Sequence, residues 1–295
     1  MALTITGSLT VSGSLKTGIS NVDDSLIFAI DPSNPRSYVI GSTDIYDLVR
    51  YRKNSSPIDA VTGSLLNGVG VLTDTGSIVA LDFDGTDDHL TFLTDPNTAG
   101  AYTFPLLSTK GTRGGLPGDS VGWTIVTHMK WTTAAGGNWY PIYHIRDGRS
   151  GEFPRGFIRL SINWSQGGKR KIQFGGAGPY GASFTQDYDF QTAGTFTKHK
   201  WHDVTMVAQT ISGTGYHTLY IDGVQVDQYS NTNGNYRPWD LETGVSFDIG
   251  DIPAFGYTAP LQFQLGGLYI HDKPFSDAEV KQNFDAYNGR FNFNT

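Results

Sequence analysis

The stretch from His217 to Asp227 constrains this chain more than any other. Leu219 and Ile221 alternate with Thr218 and Tyr220. Asp222-Gly223 follows, and then Val224 and Val226 alternate with Gln225 and Asp227. Two alternating runs joined by Asp-Gly predict a tight β-hairpin, because Gly tolerates the positive φ of a type I′ turn. A lone hairpin is marginal in water, so it demands further strands and a second layer to cover its apolar face.

The rest of the chain supplies them. Leu26-Ile27-Phe28-Ala29-Ile30 reads as a buried strand stopped by Asp31-Pro32, and Leu81-Asp82-Phe83 runs into a turn at Asp84-Gly85. Trp123, Ile125, Met129 and Trp131 fall on one face of a strand, with Thr124, His128 and Lys130 on the other. Ile158, Leu160, Ile162 and Trp164 alternate in the same way with Arg159, Ser161 and Asn163. Such alternation predicts sheets with one face in the core and one towards solvent. The expected core includes Trp123, Ile125, Val204, Met206, Leu219, Ile221, Phe247 and Leu268. Many strands at this spacing imply an all-β sandwich or barrel.

One helix is expected near the end. Ser276 and Glu279 form a capping box, with Phe275 and Val280 at the staple positions. The helix runs through Phe284 to about Tyr287 and stops at Asn288-Gly289. Phe291 and Phe293 are expected to pack back as a last short strand. Residues 108–120 read as a loop within one domain, since the strand pattern continues across them.

Residues 3–15 stand apart. Leu3, Ile5, Leu9, Val11 and Leu15 recur with a period of six and share one face, separated by Gly-Ser steps. So short a ribbon cannot bury that face alone. The chain therefore divides into a 1–24 β-repeat arm that serves assembly and a 25–295 sandwich. Either a neighbouring subunit or identical arms would supply the other face. A homo-oligomer is expected, with a trimer as its leading form.

Several function classes fall away on composition. The net charge is −7, and Lys169-Arg170-Lys171 is the one basic cluster, so nucleic acid is not an expected partner. There is no cysteine, which removes disulfides, thiolate nucleophiles and Cys-based zinc sites. No run is long and apolar enough for a membrane helix, and the first residues do not read as a signal peptide.

Four segments carry a resemblance. Trp201 to Val207 with Leu219 to Val226 resembles the central hairpin of laminin G-like, concanavalin A-like jelly rolls. Gly122-Trp123-Thr124-Ile125 resembles an earlier core strand, and Leu81 to Leu90 the opening strand. Leu265 to Val280 resembles the closing strand and short helix. The ending Val280 to Phe291 and the opening Ser25 to Tyr38 are similar to laminin G-like modules in structural proteins of tailed phages, especially phages of aquatic bacteria. The resemblance implies an all-β concanavalin A-like jelly-roll β-sandwich with one short C-terminal helix and the N-terminal β arm. It also implies a virion structural protein, in capsid decoration or in a tail or fibre, made in the host cytoplasm. Major capsid or tail proteins of the same particle would be its partners.

Glucanases of this fold use two Glu residues about two positions apart on one strand, with carboxyls about 5 Å apart. Only Glu152, Glu242 and Glu279 occur here, and the last belongs to the capping box. The hydrolase motif is thus absent, and no catalytic residue is expected. Asp82 with Asp84, and Asp187 with Asp189, share the two-residue spacing but read as outward positions of a strand and a turn. No cofactor is expected; a weak calcium site at Asp87 or Asp88 is the one exception the resemblance allows. The seven His residues show no metal-ligand spacing. His202 is expected to point outward, and His217 and His271 to sit at strand ends. Sugars stack on exposed rings, which makes Trp139, Tyr140, Tyr180 and Trp239 the candidate glycan contacts, with Tyr143, Tyr188 and Tyr236 also in loop-like stretches. A dedicated lectin or adhesin for cell-surface glycan is the competing function, and a polysaccharide hydrolase the remote one.

Overall fold

The computed structural model describes residues 25–49, 62–74, 78–92, 121–134, 139–147, 157–163, 171–177, 185–191, 195–212, 214–231, 245–250, 261–271 and 273–293. The 1–24 arm, with Leu3, Ile5, Leu9, Val11 and Leu15, lies outside the described residues. The strands are β1 (Leu26–Ile30), β2 (Asp44–Tyr46), β3 (Thr62–Leu66), β4 (Gly70–Asp74), β5 (Ile78–Asp84), β6 (His89–Phe92), β7 (Val121–Ala134) and β8 (Trp139–Asp147). They continue with β9 (Phe157–Asn163), β10 (Lys171–Ala177), β11 (Thr185–Gln191), β12 (Trp201–Ile211), β13 (Thr214–Ile221), β14 (Val224–Asn231), β15 (Val245–Gly250) and β16 (Leu261–His271). One helix, α1 (Asp277–Phe291), follows.

The strands form two antiparallel sheets. Sheet A runs β14-β13-β12-β7-β16-β5-β4, with β1 also paired to β16. Sheet B runs β11-β10-β9-β8-β15-β6-β3-β2. Their inner faces share one apolar core, and all eight residues expected there from the alternation are at most 2% exposed. The expected hairpin is β13–β14, with Asp222 at φ 53° and Gly223 at φ 75°. The Asp222 carboxylate also bonds the next strand: Oδ1 accepts from Asp203 N at 3.0 Å and Oδ2 lies 2.9 Å from His202 Nδ1.

Sheet A departs from the one-sided expectation. Its outer face carries a second apolar cluster in which Val126, Trp201 and Tyr269 meet Phe284, Tyr287, Phe291 and Phe293. Helix α1 supplies the cover, burying Val280, Asn283, Phe284, Tyr287 and Phe291 along one stripe. Thr124 and His128, expected on a solvent face, are therefore fully buried. His128 lies 3.2 Å from Asp203, and the rings of Tyr269, Tyr287, Phe291 and Phe293 surround it. His202, expected to point outward, does not. Trp201 packs beneath the helix on Phe291, while His202 turns inward against Phe196 and is 2% exposed. His217 sits inside β13 and not at its end; burial lowers its pKa to about 3, so the ring is neutral. His271 is the last residue of β16, as expected.

The helix start matches the sequence reading, with Ser276 and Glu279 completing a capping box. Its end does not. The helix continues past Asn288-Gly289 to Phe291, and Asn292 caps it at φ 53°. Phe291 is therefore helical, and both it and Phe293 are buried against sheet A. The reason lies in Arg290, which reaches back to Asp31 with two bonds of 2.7 Å. Tyr269 donates to the same carboxylate at 3.2 Å. Burial, with the neighbouring Tyr287 and Asp31, pushes the Tyr269 phenol well above its ordinary range and keeps it a donor. No helix among the described residues is long and apolar enough to cross a membrane.

Truncating Met206 or Ile221 to Ala should cost about 2–4 kcal/mol in denaturant unfolding; a neutral result would mean that the register of β12 and β13 is wrong. A second expectation concerns Asp47. Its Oδ1 accepts from Ala29 N at 2.8 Å and Val49 N at 3.0 Å, and burial raises its pKa from 3.8 to about 7. Protonation at Oδ2 keeps both bonds. The folded state therefore holds a proton that the unfolded chain has released, and stability falls as pH rises from about 4 to about 7. Asp47→Asn, a neutral isostere, should flatten that slope. An unchanged difference between unfolding at about pH 5 and about pH 8 would refute the assignment.

Candidate functional site

The pairing of sheet B brings together residues that are remote in sequence. Asp44 of β2 stands opposite Ser64, Ser64 opposite Thr91, and Thr91 opposite Asp248. Asp248 is opposite His144, His144 opposite Arg159, Arg159 opposite Gly175, and Gly175 opposite Asp187 of β11. One row without an apolar side chain thus crosses all eight strands, on the face away from the core. Seven interstrand steps make it roughly 33 Å long. The next rows are Pro141-Ser161-Gln173-Asp189 and Trp139-Asn163-Lys171-Gln191.

The middle of this face is buried. Thr91, Asp248, His144, Arg159 and Ser161 are all buried. Thr91 Oγ1 donates to Asp248 Oδ1 at 2.7 Å, which fixes that carboxylate. The hydroxyl of Ser161, 1% exposed, has no hydrogen-bond partner among the described residues.

The candidate aromatics divide. Trp139 opens β8, in register with Asn163. Tyr140 does not serve: it is 1% exposed and belongs to the sandwich core, because the strand period sends adjacent residues to opposite faces. Tyr143 is a core residue as well, because the register shift between Pro141 and Tyr143 breaks the period of two and returns the next side chain to the core. Tyr180, Tyr236 and Trp239 lie outside the described residues, as do Glu152 and Glu242. Tyr188 is in β11, opposite Phe174. Asp187 and Asp189 belong to that strand, and their register partners Gly175 and Gln173 continue the polar rows. Asp82 and Asp84 are in β5 on sheet A, so the two aspartate pairs are on different sheets.

A third feature sits at the end of β5. One carboxylate oxygen from each of Asp84, Asp87 and Asp88 falls within 4.8 Å of the others. Burial, and then the charges of Asp84, Asp87 and Asp82, raise the Asp88 pKa against the bond it accepts from Asp84 N. Three hard oxygen donors could hold a divalent cation such as calcium, but among the described residues no Glu completes the set. This cluster includes both Asp87 and Asp88, the residues singled out in the sequence.

The comparisons bear on the fold. The family model of the concanavalin A-like lectin/glucanases superfamily matches residues 84–281, more than half of the chain. The chain belongs to that superfamily. This lectin/glucanase-type sandwich is similar to the Trypanosoma rangeli sialidase solved with sialic acid, at 14% identity and a TM-score of 0.54, covering 89% of this chain and 33% of that one. It is also similar to the botulinum neurotoxin serotype D binding domain, at 13% identity and a TM-score of 0.53, covering 91% and 52%. The type G receptor binding domain gives 11% identity, a TM-score of 0.53, and 88% and 51% coverage. At these identities the likeness concerns the fold alone. The chain spans from a third to about half of these solved chains. No curated protein sequence matches it.

Without the Glu pair of the superfamily's hydrolases, incubation with laminarin, agarose, carrageenan or bacterial surface polysaccharide should release no reducing ends. Sustained turnover that disappears in Asp187→Asn, Asp189→Asn, Asp82→Asn or Asp84→Asn would make an aspartate pair catalytic and overturn this expectation.

Proposed function

We propose that this chain is a structural protein of a tailed-phage virion, on the capsid surface or in the tail, whose sandwich binds glycan without cleaving it. The apolar-free row across sheet B carries the binding half of this reading. A polysaccharide offers hydroxyls along its length and asks for a long polar surface with an aromatic platform. The outer face of sheet B offers eight consecutive polar or glycine positions, with Trp139 two rows away. The virion half is supported by the resemblance of Ser25 to Tyr38 and of Val280 to Phe291 to phage modules. A chain with 17% charged residues, 37 Gly and an apolar-striped arm also suits an assembled, outward-facing particle component. Within this reading the 1–24 arm is the assembly element that joins the sandwich to a capsid or tail partner or to its own copies.

Mass spectrometry of purified virions tests the location. Hundreds of copies per particle would place the chain on the head, a handful in a fibre, and none would end the virion reading. A glycan array tests the surface. Binding should weaken at least tenfold in Trp139→Ala and in Arg159→Gln; binding that survives both would move the site off sheet B.

A further inference from the structure

We propose that Lys130 and Gln264 join in an intramolecular isopeptide bond, with Asp82 carrying the proton, so that β7 and β16 are tied covalently across the centre of sheet A. The three residues form one row on the outer face of that sheet. Gln264 stands opposite Asp82 of β5 on one side and opposite Lys130 of β7 on the other. Their chain neighbours Leu81, Phe83, Met129, Trp131, Phe263 and Leu265 all belong to the core between the sheets. The strand period therefore turns Asp82, Gln264 and Lys130 to the same outward side.

The spacing suits acyl transfer. Side chains directly opposite one another have Cβ atoms about 4.5–5.5 Å apart, so the long Lys130 side chain reaches the Gln264 carboxamide without a backbone shift. All three side chains are half-buried, and the row is bounded by Gly70 beyond Asp82 and by the buried Trp201 beyond Lys130. Gln264 Oε1 is shielded from solvent and has no hydrogen-bond partner among the described residues. Burial raises the Asp82 pKa; the neighbouring Gln264 amide opposes that rise, the Asp84 charge adds to it, and the Lys130 charge opposes it. A carboxyl group drawn towards its protonated form beside both reacting groups is placed to take up a proton and return it.

The step balances without an oxidant or reductant. The Lys130 ammonium gives a proton to Asp82, and the free amine attacks Gln264 Cδ. The Nζ–Cδ bond forms, the Cδ–Nε2 bond breaks, and Asp82 returns the proton to the departing nitrogen. In sum, a lysine ammonium and a carboxamide become a secondary amide and an ammonium ion. The chain has no cysteine, so no disulfide performs this task. A link between residues so remote in sequence closes a long loop and removes entropy from the unfolded chain.

Intact-mass spectrometry of the full chain and its variants tests this. The native chain should be lighter than its sequence mass by about 17 Da, the mass of one ammonia. A protease digest should contain one branched peptide that joins the segments holding Lys130 and Gln264. Lys130→Arg, Gln264→Met and Asp82→Asn should each have the full mass of their sequences. A native chain of full mass overturns the inference. A deficit that persists in Lys130→Arg also overturns it, because a succinimide at an Asn-Gly step loses the same mass, and one that survives Asp82→Asn removes Asp82 from the reaction.

Discussion

The ion pair between the buried Asp31 and the half-buried Arg290 closes the molecule. It joins the residue after β1 to the last turn of the C-terminal helix, 259 positions away, through two bonds of 2.7 Å. Tyr269 of the central strand β16 shares the Asp31 carboxylate, so one anion ties the first strand, the middle of sheet A and the helix together. A fork of parallel charge-assisted bonds fixes direction as well as distance. With Arg290 held there, Phe284, Tyr287 and Phe291 are brought down over Val126, Trp201 and Tyr269. Sheet A thereby becomes a layer with apolar material on both faces, and the polar groups trapped inside it, His128 and Asp203, must satisfy one another. A buried pair of this kind gives modest net stability, but loss of either partner strands a charge.

That arrangement explains what could be read in the sequence and what could not. The inner faces were legible because a period of two is independent of the partner strand. Met206 and Ile221, and likewise Trp123 and Ile125, fall in the core as expected. The hairpin turn at Asp222-Gly223 and the capping box at Ser276 were legible because each is set by local backbone chemistry. The outer face of sheet A was not. Whether Thr124, His128 or Trp201 meets water depends on where a helix starting at Asp277, far along the chain, is laid, and alternation carries no such information. Trp201 and His202 show the cost: a large ring next to a polar one suggests ring in and imidazole out, and the helix reverses both. The helix end was misread similarly, because Asn288-Gly289 is a stop signal locally but Arg290 has a distant partner.

The candidate site illustrates the same limit. Asp44, Ser64, Thr91, Asp248, His144, Arg159 and Asp187 are scattered over more than a hundred residues, and no spacing unites them until seven pairings are known. Alternation marked Arg159 and Ser161 as facing away from the core, but not their neighbours across the sheet. The aromatics were half legible. Tyr140 lies in strand β8 and in the core, not in a loop-like stretch, and no local signal around it marks that outcome. The carboxylates near Asp87 and Asp88 were visible because they are close in sequence, while Asp84 joins them through the turn at Gly85.

The central claim is that the Asp31–Arg290 pair holds the helix and sheet A as one unit, and a double-mutant cycle measures it directly. Asp31→Asn and Arg290→Gln should each lower the unfolding free energy by about 3–5 kcal/mol, and the double variant should cost little more than either alone. Strictly additive losses would mean that the two residues act independently and that the helix is held by its apolar stripe without them.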